Sequence, residues 1–400
     1  MKIDPICKTA AFHSVRVAFG YGKNDTECVS VEPLTIALVG FSYYLLFCYF
    51  TYLRNQERMN EALTFDDVLL KPKWCPFESR KEVSTEVFLR HDWNFQTPII
   101  SANMDTVTGW EMAAKMAQLG GLGIIHRFMS IEDNVKEYQK AIQAGATYTS
   151  VGVSLGVNEG LERADALYDA GARIFCIDVA HGHSKLTGRM VRTIKEKYGD
   201  NILLIAGNVC TYAGADYLIS KGADVIKVGI GPGSVCTTRE KTGCGYPQLS
   251  AIIECSRCSK PIIADGGINS PGDVVKALAA GAEMVMIGGM LAGALETPGV
   301  VEVVIENHTH RETKWKVFRG MASREANEDN GVALPDWKTA EGISTKVPFK
   351  GNVEPIIKDI IGGLRSGLTY CGAIDIKELQ RGHEFVRVSP QSLRETRTRL

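Results

Sequence analysis

Short apolar runs alternate with amphipathic stretches along most of the chain after Met59. The runs are bounded by glycine or polar residues, as buried strands are, whereas the stretches between them repeat apolar positions with helical spacing. The predicted strands are residues 97–102, 122–126, 150–155, 174–179, 203–209, 225–230, 261–267 and 284–289. The predicted helices include residues 110–119, 131–144, 161–170, 189–198 and 272–280.

The order of these elements predicts an α/β protein built as a (β/α)8 barrel, also called a TIM barrel. Eight strands, each followed by a helix, fit a closed barrel better than a doubly wound sheet. The strand segments are apolar throughout, which is typical of parallel strands buried on both faces. Several helical segments also end on glycine, the common C-terminal stop: Gly145, Gly171, Gly222 and Gly281.

Residues 1–58 do not follow this pattern, and we interpret them as an N-terminal extension ahead of a TIM-barrel catalytic domain at residues 59–400. Segment 33–53 carries no charged residue and is long enough to cross a bilayer. Arg54 and Arg58 follow it directly, so a spanning segment would leave the barrel on the cytoplasmic side. The alternative is an extension upstream of a true start at Met59. Both interpretations stay open, and both predict a cytoplasmic barrel.

The amino-acid composition and the net charge limit the kinds of molecule that the protein is expected to bind. The chain has 400 residues, 45% of them hydrophobic, and its 45 basic and 46 acidic side chains give a net charge of −1. This balance does not favour nucleic-acid binding, which needs a basic face for phosphate contacts. The 11 cysteines show no framework spacing, which indicates reduced thiols in an intracellular protein.

The cysteine loop (residues 229–238) follows an apolar run and carries the most specific chemical signal in the chain. Its glycines allow the backbone to approach a ligand or ion closely. Cys236 lies near its end, with two hydroxyl residues and Arg239 behind it. Cationic surroundings and free backbone N–H groups favour the thiolate, so we predict that Cys236 is a nucleophile. A small buried thiol beside a strand-to-helix turn is the alternative.

Polar residues and glycines gather where the predicted strands end. Active sites of barrel enzymes lie just past the strand C-termini, so these residues are expected to face one cleft. Glycines after the seventh and eighth strands, in segments 265–267 and 288–289, are where such barrels commonly hold a phosphate. The sequence thus predicts a phosphorylated substrate beside Cys236. The polar flap segment (residues 322–341) is predicted to be mobile over the barrel mouth.

Several motifs resemble those of the IMP dehydrogenase/GMP reductase family, and the resemblance covers residues 59–388. The motifs are Leu63-Thr64-Phe65-Asp66-Asp67-Val68-Leu69-Leu70, Asn103-Met104-Asp105-Thr106-Val107, the cysteine loop, Asp265-Gly266-Gly267 and Gly320-Met321. The family implies a TIM barrel whose cysteine attacks C2 of a purine nucleotide. Residues 1–58 lie outside the resemblance.

Two activities share this family scaffold. A single predicted helix separates segments 122–126 and 150–155, which leaves no room for the paired CBS motifs that dehydrogenases usually insert there. Segments 236–243 and 246–250 resemble reductases, and Arg324 is not followed by the tyrosine of the water-activating Arg-Tyr pair of dehydrogenases. Segments 119–127 and 178–184 instead resemble bacterial dehydrogenases.

The balance of these motifs implies NADPH-dependent reductive deamination of GMP to IMP and ammonia. One alternative is an IMP dehydrogenase that oxidises IMP to XMP with NAD. Outside the enzyme class, the alternative is an inactive nucleotide-binding protein.

The resemblance also implies residue roles. Cys236 would form the covalent purine adduct, with Thr238 and Glu341 as its proton-relay pair, although Glu341 alone would be interpreted as a solvated surface acid. The implied substrate-binding residues are Ser234, Asp265, Gly267, Gly288, Gly289, Met321 and Ala322. The implied hydride-transfer region includes Asn103 and Asp178. The implied ligands of a monovalent cation, potassium, are the carbonyls of Gly231, Gly233 and Cys236. The family also implies a homotetramer.

Overall fold

The structure is a computed structural model that describes residues 15–20, 26–31, 61–90, 92–305, 312–331 and 335–392. The chain divides into two compact units, residues 1–61 and 62–400. In the first unit, β1 (Val15–Gly20) pairs antiparallel with β2 (Thr26–Val31). Segment 33–53 lies outside the described residues. Among the residues that are described, no helix is long and apolar enough to span a membrane.

The second unit is built on a closed barrel of eight parallel strands, which confirms the predicted fold class. Three short strands precede the barrel: β3 (Val68–Leu70), β4 (Val87–Arg90) and β5 (Trp93–Phe95). The barrel strands are β6 (Ile99–Ser101), β7 (Leu122–Ile125), β8 (Val151–Leu155), β9 (Ile174–Asp178), β10 (Leu203–Val209), β11 (Val225–Val228), β12 (Ile262–Asp265) and β13 (Met284–Ile287). They follow chain order around the barrel, and pairing of β13 with β6 closes it.

The barrel strands are buried almost throughout, as their continuous apolar pattern predicts. Most end earlier than predicted, because the residues at their carboxyl ends leave the barrel wall. The segment predicted to end at residue 267, for example, stops at Asp265, since Gly266 and Gly267 have φ values of +90° and +77°, outside the strand region. The glycines and polar residues therefore form the loops at the barrel mouth.

Helices cover the outside of the barrel. Those between the barrel strands are α1 (Trp110–Gln118), α2 (Ile131–Gln143), α3 (Glu162–Asp169), α4 (Lys185–Tyr198), α5 (Tyr212–Ser220), α6 (Thr238–Thr242), α7 (Gln248–Cys255) and α8 (Pro271–Ala279). The predicted start of α4 at residue 189 is wrong. Ser184 caps this helix by accepting a hydrogen bond from the Thr187 N–H, which begins the helix one turn earlier.

After the barrel closes, the chain forms a small antiparallel sheet beside the barrel mouth. The remaining elements are β14 (Glu302–Ile305), β15 (Glu312–Arg319), α9 (Arg324–Asp329), β16 (Ser344–Pro348), α10 (Val353–Tyr370), α11 (Ile376–Gly382) and β17 (Phe385–Arg387). Strand β15 lies between β14 and β16, and β17 pairs with β3. The flap segment includes the short helix α9, so its described part is not entirely loop.

Candidate active site

A cleft of about 500 Å³ opens at the carboxyl ends of the barrel strands. Its lining includes every residue that was predicted from the sequence to act in catalysis or to bind the substrate, the cofactor or a cation. These residues are Asn103, Asp178, Gly231, Gly233, Ser234, Cys236, Thr238, Asp265, Gly267, Gly288, Gly289, Met321, Ala322 and Glu341. The barrel topology therefore brings into one cleft residues that are far apart along the chain.

The cysteine loop presents its thiol to this cleft beside a hydroxyl group. The Sγ atom of Cys236 lies 3.2 Å from Oγ1 of Thr238, the first residue of α6. The loop packs against the neighbouring strand so tightly that a side chain is excluded at Gly229. A Cβ atom there would lie 2.0 Å from the carbonyl oxygen of Asp265, and the φ of +148° also favours glycine. Backbone packing thus fixes where the thiol sits.

Glu341 is tied to the cysteine loop through the backbone. The N–H of Thr237 donates to the Glu341 carbonyl at 3.1 Å, and the N–H of Glu341 donates to the Ala322 carbonyl at 3.0 Å. Cys236 and Gly342 form an antiparallel bridge next to these bonds. A half-buried carboxylate therefore lines the same cleft as the thiol and its neighbouring hydroxyl. It is not simply a solvated surface acid.

A buried ion network forms the floor of the cleft. Lys227, only 2% exposed, donates to Oδ1 of Asp178 at 2.7 Å and to Oδ2 of Asp265 at 2.5 Å. Burial alone would raise the pKa of Asp178, but the charge of Lys227 outweighs it and the pKa lies below its ordinary value. Burial alone would lower the pKa of Lys227, but the two carboxylates raise it. The opposite charges of Asp178 and Lys227 therefore stabilise each other on the cleft floor.

Amide side chains extend this network on both sides. Asn103 donates from Nδ2 to the Ser154 hydroxyl at 2.8 Å and to Oδ2 of Asp178 at 2.9 Å. Asn208 donates from Nδ2 to Oδ2 of Asp265 at 2.9 Å and to the Gly229 carbonyl. No role was predicted for Lys227 or Asn208 from the sequence. A lysine inside an otherwise apolar strand was the signal that could have identified Lys227.

The flap helix is anchored to the barrel by one arginine. Arg319, at the end of β15, donates from Nε and Nη2 to Oδ2 of Asp105 at 2.9 and 2.6 Å. Its Nη1 donates to Asp329, the last residue of α9. Asp105 belongs to the loop after β6, so this ion network joins the flap helix to the barrel mouth.

Two buried polar atoms of the cleft lining have no hydrogen-bond partner within the described parts of the chain. They are Nε of Arg127, a donor, and Oδ1 of Asn208, an acceptor. An acceptor and a donor of a bound ligand would satisfy them, and the carboxamide of a nicotinamide carries both kinds of group. Arg127 also pairs with Glu159 at 2.7 Å, which fixes its guanidinium at the cleft wall. The lining therefore fits a nicotinamide cofactor.

A cation at the cysteine loop would be held by carbonyl oxygens rather than by side chains. The described residues contain no group of three or more His, Cys, Asp or Glu side chains that could hold a metal ion. Gly231 has a φ of +82°, and the Gly233 carbonyl accepts the Cys236 N–H at 3.1 Å, which leaves it a second lone pair. The donors that this loop offers a cation are therefore backbone carbonyls.

Replacing Lys227 with methionine is expected to destabilise the fold and to change its pH response. Removing one partner of a buried ion pair typically costs about 3–5 kcal/mol of unfolding free energy. The pKa of Asp178 should also rise once the cation is gone, so the acid limb of the kcat/KM profile should move to higher pH. Denaturant unfolding and activity against pH check the two effects.

Lys316→Met is the matched control for Lys227→Met. Lys316 is also 2% exposed, but it donates to main-chain carbonyls, including that of Ala294, and to no carboxylate among the residues that the structure describes. Its replacement should lower stability without moving the acid limb. If the acid limb does not move in Lys227→Met, the claim that Lys227 lowers the pKa of Asp178 is wrong.

The fold and the cleft define a (β/α)8-barrel protein whose mouth carries a free cysteine, a half-buried glutamate and glycine-lined loops. The family profile of the IMP dehydrogenase / GMP reductase domain matches residues 62–399. The chain therefore belongs to the IMP dehydrogenase/GMP reductase family.

Relatives in both branches of the family are similar to the chain. It is 43% identical to human GMP reductase 1 over 343 residues, which cover 82% of this chain and 96% of that protein. A crystal structure of inosine 5′-monophosphate dehydrogenase from Legionella pneumophila is 52% identical, with a TM-score of 0.73, over 83% of this chain and 99% of that one. GMP reductase from Trypanosoma brucei, crystallised with guanosine 5′-monophosphate, is 30% identical, with a TM-score of 0.77, over 86% and 99% of the two chains.

Proposed function

We propose that the protein is a GMP reductase, which converts GMP, NADPH and two protons to IMP, NADP⁺ and ammonium. The observation that carries the proposal is the placement of Cys236, Thr238 and Glu341 on one cleft, with the thiol 3.2 Å from the Thr238 hydroxyl. In this arrangement Cys236 would be a nucleophile beside a proton-donating pair, as removal of an amine requires. The identity of the human relative supports the choice of substrate.

The flap segment argues for the reductase over the dehydrogenase. Its described residues that line the cleft are Ala322, Asn327, Lys338, Thr339 and Glu341, none of which is an arginine or a tyrosine. Arg324 is exposed on α9, next to Glu325, and does not line the cleft. The Arg-Tyr pair with which dehydrogenases activate water is therefore absent from the flap segment. Hydrolysis of the adduct to XMP would be disfavoured.

In the proposed first step, the Cys236 thiolate adds to C2 of GMP and the C2 amino group leaves as ammonia. The amine is a poor leaving group until it is protonated, so Thr238 and Glu341 relay a proton to it. The sulfur–C2 bond holds the purine in place after ammonia departs. NADPH, when bound, would supply a hydride for C2. In the second step the bond between Cys236 sulfur and C2 would break as C2 accepts that hydride, so that the thiolate is released and IMP forms.

The other cleft residues would bind and orient the reactants. Ser234, with the glycines of segments 266–267 and 288–289, would hold the 5′-phosphate. Asp265 would accept hydrogen bonds from the ribose, because Lys227 and Asn208 occupy only its Oδ2 atom. Met321 and Ala322 would contact the purine.

We further propose that the cofactor is NADPH and lies against Asn103 and Asp178. The carbonyls of Gly231, Gly233 and Cys236 would hold a potassium ion. The working form would be a homotetramer.

A second candidate function is IMP dehydrogenase, and a specific observation favours it. The Legionella pneumophila structure with that title is 52% identical to the chain. The same thiol could add to C2 of IMP, and hydride would then pass to NAD. An alternative source of activated water would be needed to release XMP.

Absorbance of the reduced nicotinamide band tests the proposal. The full chain is incubated with GMP and NADPH in one cuvette and with IMP, NAD and potassium in another. Loss of absorbance in the first, with one ammonia released per NADPH, is the expected result. Gain of absorbance in the second, with XMP formed and no reaction in the first, would overturn the proposal in favour of the dehydrogenase. No reaction in either cuvette would also overturn it.

A further inference from the structure

A second cleft, of about 430 Å³, opens beside the first and shares Ser234, Gly289 and Phe318 with it. Lys350 lines this second cleft. Its ammonium group donates to the carbonyl of Gly289 at 3.0 Å and to the carbonyl of Met290 at 2.9 Å. These carbonyls belong to the turn directly after β13, where the phosphate is expected. The Lys350 ammonium group therefore contacts, from the second cleft, the turn that is expected to bind the phosphate.

The bond to Gly289 sets the direction of a backbone donor. In a trans peptide the C=O and N–H groups point in opposite directions, and the peptide between Gly289 and Met290 is trans. Because Lys350 holds the Gly289 carbonyl, the Met290 N–H points away from the ammonium group. No acceptor among the described residues takes this N–H. It is free to bind a ligand.

The same turn lies close to the hydroxyl of Ser234. A Cβ atom on Gly289 would be only 3.2 Å from Ser234 Oγ, so glycine lets the turn and the hydroxyl approach each other. The Ser234 hydroxyl thus lies beside the turn that carries the Met290 N–H. Several donors converging on one point are what a phosphate requires.

Lys350 also supplies a charge that no carboxylate in the described part of the chain pairs with. The cations that line the two clefts in the described part of the chain are Arg127, Lys227, Lys338 and Lys350. Lys227 lies between two carboxylates, Arg127 pairs with Glu159, and Lys338 belongs to the flap segment. Lys350 has carbonyl partners and no carboxylate within ion-pair distance among the described residues. Its positive charge is therefore available to a dianion.

We propose that Lys350 is a positioning residue that makes the site specific for a 5′-monophosphate. It fixes the turn at residues 288–290 so that its N–H groups face the phosphate, and its charge attracts the dianion. A nucleoside without phosphate gains nothing from either effect. This role of Lys350 rests on the proposed function, because the ligand in question is the purine nucleotide of that function.

Equilibrium binding to the full chain tests this role, with GMP, IMP, guanosine and inosine as probes in calorimetric titrations. Lys350→Gln should weaken binding of both nucleotides about 10- to 100-fold, the range for losing a charge-assisted interaction. Binding of the nucleosides should stay within about twofold of wild type. Lys350→Arg should restore part of the nucleotide affinity, because it keeps the charge. In turnover, KM for the nucleotide should rise while kcat stays nearly constant.

Lys346→Gln is the matched control. Lys346 is exposed, lies on β16 close to Lys350 in sequence, pairs with Glu302 and lines neither cleft. Its replacement should leave all four affinities unchanged. Equal weakening of nucleotides and nucleosides by Lys350→Gln would indicate a purely structural role and overturn the proposal, as would unchanged nucleotide binding.

Failure of the proposal is distinguishable from failure of the proposed function. Nucleotide-selective weakening in Lys350→Gln supports the role of Lys350 even if the wild type reduces no GMP, since binding does not depend on the reaction. A wild type that reduces GMP, with a variant that binds GMP normally, overturns only the role of Lys350. A wild type that binds neither nucleotide overturns both.

Discussion

Cys236→Ala is expected to lower turnover by at least about 10³-fold while GMP binding stays within about twofold of wild type. The thiol is the atom that the proposed mechanism bonds to C2, so its loss leaves no covalent route from GMP to IMP. The phosphate and ribose contacts lie on other residues and survive the substitution. Steady-state kinetics and a binding titration on the same preparation check both expectations.

Cys244→Ala is the control for this substitution. Cys244 is also free, but it is exposed just beyond α6 and does not line the cleft. Its replacement should leave turnover and binding unchanged. Substantial activity in Cys236→Ala would mean that the purine is reduced without a cysteine adduct, and the mechanism would be wrong.

Glu341→Gln is expected to slow turnover by about 10²- to 10⁴-fold, the usual contribution of a positioned proton donor or acceptor. Glutamine keeps the size of the side chain and the backbone bonds that join Glu341 to Thr237 and Ala322. The substitution therefore removes the ionisable group with little change in the loop. Ammonia release should slow more than hydride transfer, because only the leaving amine needs the proton.

Rapid-quench measurement of ammonia beside stopped-flow measurement of NADPH oxidation separates the two steps for Glu341→Gln. Glu325→Gln serves as the control, since Glu325 is exposed on α9 and does not line the cleft. Equal slowing of both steps in Glu341→Gln would argue against a role in protonating the amine.

The barrel could be predicted from the sequence because its strands are buried on both faces. A strand such as β13 is apolar on both sides, and polar residues mostly mark the points where the chain leaves the barrel wall. Those points define the cleft, which is why Cys236 and Asp265 could be placed together from the pattern, whereas Glu341 was assigned to the site only by the family resemblance. Helix bounds depended on local capping, and the cap at Ser184 was missed.

The ion network on the cleft floor could not be predicted in the same way. Lys227 meets Asp265, 38 positions along the chain, only because neighbouring parallel strands align them. Lys350 reaches the turn after β13 across 61 positions, from the segment that follows β16. Such contacts depend on side-chain length and on which strands are adjacent, and the hydrophobic pattern specifies neither.

The most direct test of the proposed reduction follows one hydrogen atom. The full chain is supplied with GMP and with NADPH that carries deuterium at the transferred position, and the products are examined by mass spectrometry. If GMP is reduced as proposed, the product is IMP that carries one deuterium at C2 of the purine, and one ammonia is released for each cofactor oxidised. XMP as the product, or IMP without deuterium, would contradict the proposed reduction.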